Sequence, residues 1–118
     1  MLELMLKITA RPNDVPAMLE ALAMVTFQAK LDRACIDCQS YAETGNPQSL
    51  LYLEQWSTRK DLELQLRSQR FATLLAIMET AAEPPKLEVR SVAEQRGLEY
   101  VRSVRLGSST TKSPHPSE

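Results

Sequence analysis

The chain has a single histidine, His115, and only three glycines in 118 residues. One imidazole so close to the C-terminal end leaves no Ser-His-Asp or Cys-His arrangement to assemble inside a fold, and no His to act as a general base or haem ligand there. None of the glycines follows a strand in the G-x-G order that wraps a phosphate, so nucleotide cofactors find no cradle. Neither sign of charge dominates. Fourteen Lys and Arg against fifteen Asp and Glu give a formal charge of −1 with no basic cluster, which excludes the usual electrostatic footprint of nucleic-acid binding. Apolar runs are short and broken by charges, and the N-terminus lacks the basic-then-apolar order of a secretion signal. A cytoplasmic protein that does not span a membrane is expected. Cysteine is scarce too: Cys35 and Cys38 form one C-x-x-C. On a regular strand that spacing sends the two thiols to opposite faces, where they cannot easily bridge or share a metal, and no metal or other cofactor is expected.

What is present is an apolar fraction of 43%, enough for one domain over residues 1–106, followed by a polar, Pro-containing stretch, 107–118, expected to be a disordered tail. Leu2, Leu4, Leu6 and Ile8 alternate with polar or bulky neighbours, the period of a strand. Arg11 to Asp14 break that pattern, and Asn13 is placed to cap a helix reaching about Asp32, with Val15, Met18, Leu19, Leu22, Val25, Thr26 and Ala29 recurring at helical spacing to form one buried stripe. Ile36 to Ala42 reads as a second strand, Gly45-Asn46-Pro47 as a turn, and Ser49 to Trp56 as a third strand. Thr58 and Ser68 are candidate caps for two successive helical stretches that end at Pro84-Pro85, and Leu87 to Ser91 is a fourth strand. The order is βαββαβ, an α+β ferredoxin-like arrangement with both helical layers on one face of an antiparallel sheet. The alternation of Leu98, Tyr100, Arg102, Val104 and Leu106 predicts an extra C-terminal strand that extends an edge or embraces a partner. The uncovered face of the sheet calls for a cover, and a second copy, giving a homodimer, is the simplest one.

The stretch from Leu50 to Phe71 carries the functional interest. Tyr52, Glu54 and Trp56 fall two apart and share one strand face, with Leu51, Leu53 and Gln55 on the other. Trp56 can stack on a planar ligand or simply pack where strand meets helix. Glu54 can act as a base or pair with a cation. Tyr41 and Tyr52 offer hydroxyls, or a cross-strand packing pair. Arg67 can hold an anionic group or lie solvated near a helix end, and Phe71, Leu75 and Met78 are core residues able to line a cavity.

The order of strand, helix, C-x-x-C strand and N-P turn, then LEQWST, DLELQLRSQRF and LLAIME, resembles the antibiotic biosynthesis monooxygenase family over about Met1 to Val92. The GLEYVRSVR segment resembles the C-terminal extension of one subgroup. The resemblance implies a dimeric α+β barrel with a small-molecule pocket between sheet and helices. It also implies cofactor-independent oxygenation of a small quinol- or phenol-like aromatic compound, the substrate supplying the electrons for dioxygen. Many relatives carry a His two residues before R-S; Gln65 stands there, an amide that can orient a substrate oxygen but cannot take a proton near neutral pH. Glu54 and Gln65 are therefore the candidate catalytic pair. The alternative is a non-catalytic small-molecule-binding or assembly dimer that kept the fold without the usual base.

Overall fold

A computed structural model of the chain describes residues 1–107. Strand β1, Leu2–Thr9, lies inside the sheet, with β3, Asn46–Trp56, on one side and β4, Lys86–Ser91, on the other; β2, Cys35–Glu43, pairs with the far side of β3. All pairings are antiparallel, in the order β2-β3-β1-β4. The period-2 pattern decides which face is buried. Leu2, Leu4, Leu6 and Ile8 stand opposite Trp56, Glu54, Tyr52 and Leu50, and all eight are buried beneath the helices.

Helix α1, Val15–Lys30, lays Met18, Leu22, Val25, Thr26 and Ala29 on that face, with Val15 partly buried against the core and Leu19, at the edge of the expected stripe, exposed. Helices α2, Arg59–Leu66, and α3, Gln69–Met78, follow β3 and complete the layer with Leu62, Gln65, Phe71, Leu74 and Ile77. Both begin where the sequence places hydroxyl caps. The Asp61 amide donates to Thr58 Oγ1 at 3.1 Å and the Phe71 amide to Ser68 Oγ at 3.2 Å, satisfying donors that a helix start leaves open. Among the described residues no helix is long and apolar enough to cross a membrane.

Four local expectations change. A 3-10 turn, Pro12–Asp14, precedes α1; Asp14 stands at the cap position, and no side chain caps the helix. The hairpin turns at Thr44-Gly45 rather than Gly45-Asn46-Pro47, because Gly45 supplies the positive φ of +85° and β3 already begins at Asn46. The two cysteines do not point to opposite faces. A register shift between Cys35 and Asp37 inserts an extra residue, so Cys35 pairs with Trp56 and Cys38 with Glu54 on the helix side; both thiols remain free.

The fourth change is the largest. The expected fifth strand is a helix, α4, Leu98–Arg105. Its sequence fits both periods, since Leu98, Val101 and Val104 also recur every three residues. A strand here needs a ladder partner, whereas a helix pairs its own backbone groups. Glu99 in the first turn and Arg102 and Arg105 in the last suit the helix dipole. Of the expected tail, 107–118, all but Gly107 lies outside the described residues.

Candidate functional site

Alternation along β3 sends Tyr52, Glu54 and Trp56 inward, and the carboxylate of Glu54 ends fully buried between its two aromatic neighbours. Tyr52 donates its hydroxyl to Oε2 of Glu54 at 2.5 Å, and Trp56 Nε1 donates to Oε1 at 2.9 Å. The third donor comes from another element: Gln65, buried on the last turn of α2, donates Nε2 to Oε2 of Glu54 at 2.9 Å.

The orientation of that amide is fixed from its other end. Arg70 donates from Nη2 and Nε to Gln65 Oε1 at 2.6 and 3.2 Å, and Ser68 Oγ lies 3.2 Å from the same oxygen. A guanidinium can only donate, so the oxygen of Gln65 faces Arg70 and the amide nitrogen faces Glu54. Arg70 is held in turn by Asp32, in the turn between α1 and β2, at 2.9 Å. A chain of contacts thus runs from the buried carboxylate through an amide and a guanidinium to a carboxylate at the surface.

Among the described residues no Lys or Arg lies within ion-pair distance of Glu54. Its neighbours register the electrostatic consequence. Burial, reinforced by the Glu54 charge, raises the Tyr52 phenol well above its ordinary range, and the same two effects push the Cys38 thiol up to about 12. Cys35, half-buried at the strand's start, is also raised, chiefly by burial and then by Glu54. Asp32 moves the other way, lowered first by the Ala34 amide that donates to it at 3.0 Å and then by Arg70. Tyr52 and Cys38 therefore stay protonated near neutral pH, and Tyr52 remains a donor to Glu54.

The structure brings together four residues singled out from the sequence: Tyr52, Glu54, Trp56 and Gln65. Phe71 is buried in the same core, and Met78 is partly buried against it from the end of α3. Tyr41 and Arg67 stand apart. Tyr41 pairs with Leu51 and so faces the opposite side of the sheet, half-exposed, while Arg67 is exposed at the end of α2. Sequence reasoning missed Arg70 and Asp32. They meet across 38 positions, and nothing in the local pattern of either announces the other.

The space beside Trp56 is filled by its own neighbours, and the indole is 1% exposed. The grooves described lie elsewhere. One of about 390 Å³ runs between α1 and α3, past Ala17, Ala21, Ala76 and Ile77. Another of about 390 Å³ lies on the helix-free face beside Met5, Lys7, Tyr41 and Leu51, and a polar one of about 340 Å³ adjoins Glu83 and Lys86.

Comparison with known protein families gives no match, and no curated protein is similar. Solved structures do match. A crystal structure named antibiotic biosynthesis monooxygenase superposes with a TM-score of 0.71 at 13% identity, over 80% of this chain and 100% of that one. A Nitrosomonas europaea protein provisionally given the same name reaches 0.72 at 18% identity over 80% and 100%. A Mycobacterium tuberculosis protein gives 0.72 at 14% identity over 81% and 98%. With its four-stranded antiparallel sheet and helical layer, the chain has the ferredoxin-like α+β fold of structures named antibiotic biosynthesis monooxygenase.

Proposed function

We propose that the chain is a cofactor-independent monooxygenase of small quinol- or phenol-like aromatic compounds, with Glu54 as the base. The observation that carries this reading is a fully buried carboxylate bound by three uncharged donors, with no Lys or Arg among the described residues within ion-pair distance. Stability gives little reason to keep such a group, since apolar packing of similar volume serves a core at least as well. Buried ionisable groups of this kind gather at functional sites. The shared fold with structures named for monooxygenase activity adds support.

Tyr52 and Trp56 sit on the same strand as Glu54, so their contacts are fixed by the pleat. Gln65 reaches across from α2, and a ligand hydroxyl takes its place on Oε2 when α2 shifts away from β3. Glu54 then accepts the phenolic proton, Trp56 and Phe71 flank the ring, and the phenolate passes an electron to dioxygen. A phenol with an unsubstituted para carbon plus dioxygen yields the quinone and water, and the substrate supplies every electron. The protein's part is placement, proton removal and exclusion of water.

The unit we propose is a homodimer. The helix-free face of the sheet presents Met5, Leu51 and Leu53, half-buried, beside exposed Tyr41, and a second copy of that face closes it. Oxygen uptake tests the chemistry. Wild-type protein consumes dioxygen with at least one member of a panel of quinols and naphthols, and Glu54→Gln lowers kcat by about 100-fold or more, the usual weight of a general base.

One observation favours a second reading. Tyr52, Glu54, Trp56 and Gln65 are each no more than 2% exposed and satisfy one another internally. A sealed network of this kind suits a non-catalytic binding or assembly dimer. Absence of uptake with every compound, together with measurable ligand binding, selects that reading.

A further inference from the structure

Among the described residues, helix α4 makes no extensive contact with any other helix or strand. Leu98, Tyr100, Val101 and Val104 are between 47% and 61% exposed, although they share one side of the helix, with Glu99, Arg102 and Ser103 on the other and Arg105 within the apolar side at its last turn. The Arg96 guanidinium lies 5.0 Å above the Tyr100 ring. Eight residues are too few to hold a helix in water by propensity alone, so α4 needs a surface to pack on. The same chain offers one. Leu87 and Val89 stand opposite Leu6 and Leu4 and face the helix side of the sheet, where no helix among the described residues covers β4; they are 39% and 47% exposed. The charges match on that side as well: the segment leading into β4 carries exposed Glu79 and Glu83, with no Lys or Arg between Arg70 and Lys86, while α4 carries Arg102 and Arg105; Lys86, Glu88 and Arg90 of β4 alternate onto the opposite face. The solved structure that matches 80% of this chain and 100% of its own leaves a fifth of this chain without counterpart, so the shared fold does not by itself demand such a segment.

We propose that α4 docks on a second copy of this chain, laying Leu98, Val101 and Val104 across the Leu87–Val89 strip of the partner's β4, and that the partner's α4 does the same in return. Two complementary surfaces on one chain that do not meet within it are satisfied together by a symmetric exchange. The extended segment from Val92 to Gly97 supplies the reach, about 20 Å at full extension. The exchange adds a second contact region to the proposed sheet-to-sheet dimer; it rests on that dimer and is independent of the oxygenase chemistry.

A mixing experiment on full-length chains tests it. Val101→Glu with Val104→Glu alters only α4, and Leu87→Lys with Val89→Lys alters only the receiving strip. Sedimentation equilibrium is expected to show a wild-type dimer and, for each variant alone, dimerisation weakened at least about tenfold. Mixing the two variants restores association, because the mixed dimer contains one native docking site and one Glu–Lys site. The thermal transition of the α4 variant matches that of wild type at concentrations where both are monomeric. As an independent reading, amide exchange of Leu87 to Ser91 quickens in the α4 variant. Variants that dimerise like wild type overturn the exchange while leaving the sheet-to-sheet dimer standing. Failure of the mixture to regain affinity overturns it in favour of packing within one chain or on an unrelated protein, and a monomeric wild type overturns both the exchange and the dimer.

Discussion

Glu54 accepts three hydrogen bonds in a place water does not reach, so its replacement measures what those donors cost when left alone. Glu54→Leu orphans the Tyr52 hydroxyl, the Trp56 indole N–H and the Gln65 amide. With each orphaned donor costing about 1–3 kcal/mol, urea unfolding should show a loss of at least about 3 kcal/mol, and Glu54→Gln a smaller one because an acceptor oxygen remains. A Leu variant as stable as wild type contradicts the network. The raised thiol of Cys38 gives a pH dependence with a definite sign. In the unfolded chain it ionises near 9.0 and in the fold only at about 12, so the stability it contributes is complete below 9 and is lost as pH climbs toward 12. Tyr52 acts in the same direction. Denaturant midpoints measured through that range should fall, and Cys38→Ala should flatten the slope; an unchanged slope assigns the loss to other groups. At this scale the sequence showed what strand alternation controls. Tyr52, Glu54 and Trp56 were legible as one face, and Gln65 stood out only through the family resemblance of the sequence around it. Arg70 and Asp32 were not, because their contact is made by the way α3 and the end of α1 pack together.

The elements follow their local signals wherever a hydroxyl cap or a strict period leaves no competitor. Thr58 and Ser68 start α2 and α3 as their positions suggest, and Ser68 also donates to the Gln65 carbonyl at 2.6 Å, closing the bend that aims Gln65 at Glu54. Ser68→Ala should therefore cost about 1 kcal/mol in a thermal or chemical melt, as lost caps do. Gly45 has open space around a would-be Cβ, so Gly45→Ala tests backbone strain alone; about 1 kcal/mol is expected from its positive φ. No change in the melt separates the hairpin from the tight turn described. Two elements escaped their signals. The extra residue in β2 overrides simple alternation and turns Cys35 inward with Cys38, and a single sequence gives no sign of that shift. In α4 the apolar residues satisfy two periods at once, and the absence of a strand partner for it among the described residues decides between them.

For the whole molecule, sheet and helices form a layered unit whose interior holds a carboxylate rather than an open hollow, and whose outward apolar surfaces include the helix-free sheet face, the Leu87–Val89 strip and α4. Strand and helix order were enough to read the layering, because βαββαβ leaves few ways to cover one face of a sheet. A closed interior beside Trp56 was not legible, since side-chain volumes across four elements decide whether space remains. Catalysis in such an interior requires ligand entry beside Gln65 and proton transfer to Glu54. The direct measurement is mass analysis of product formed from a quinol or naphthol under isotopically labelled dioxygen, with wild type and Glu54→Gln compared. The account predicts one labelled oxygen in the wild-type product and almost none formed by the variant; an unlabelled product, or equal labelling at equal rates in both proteins, contradicts it.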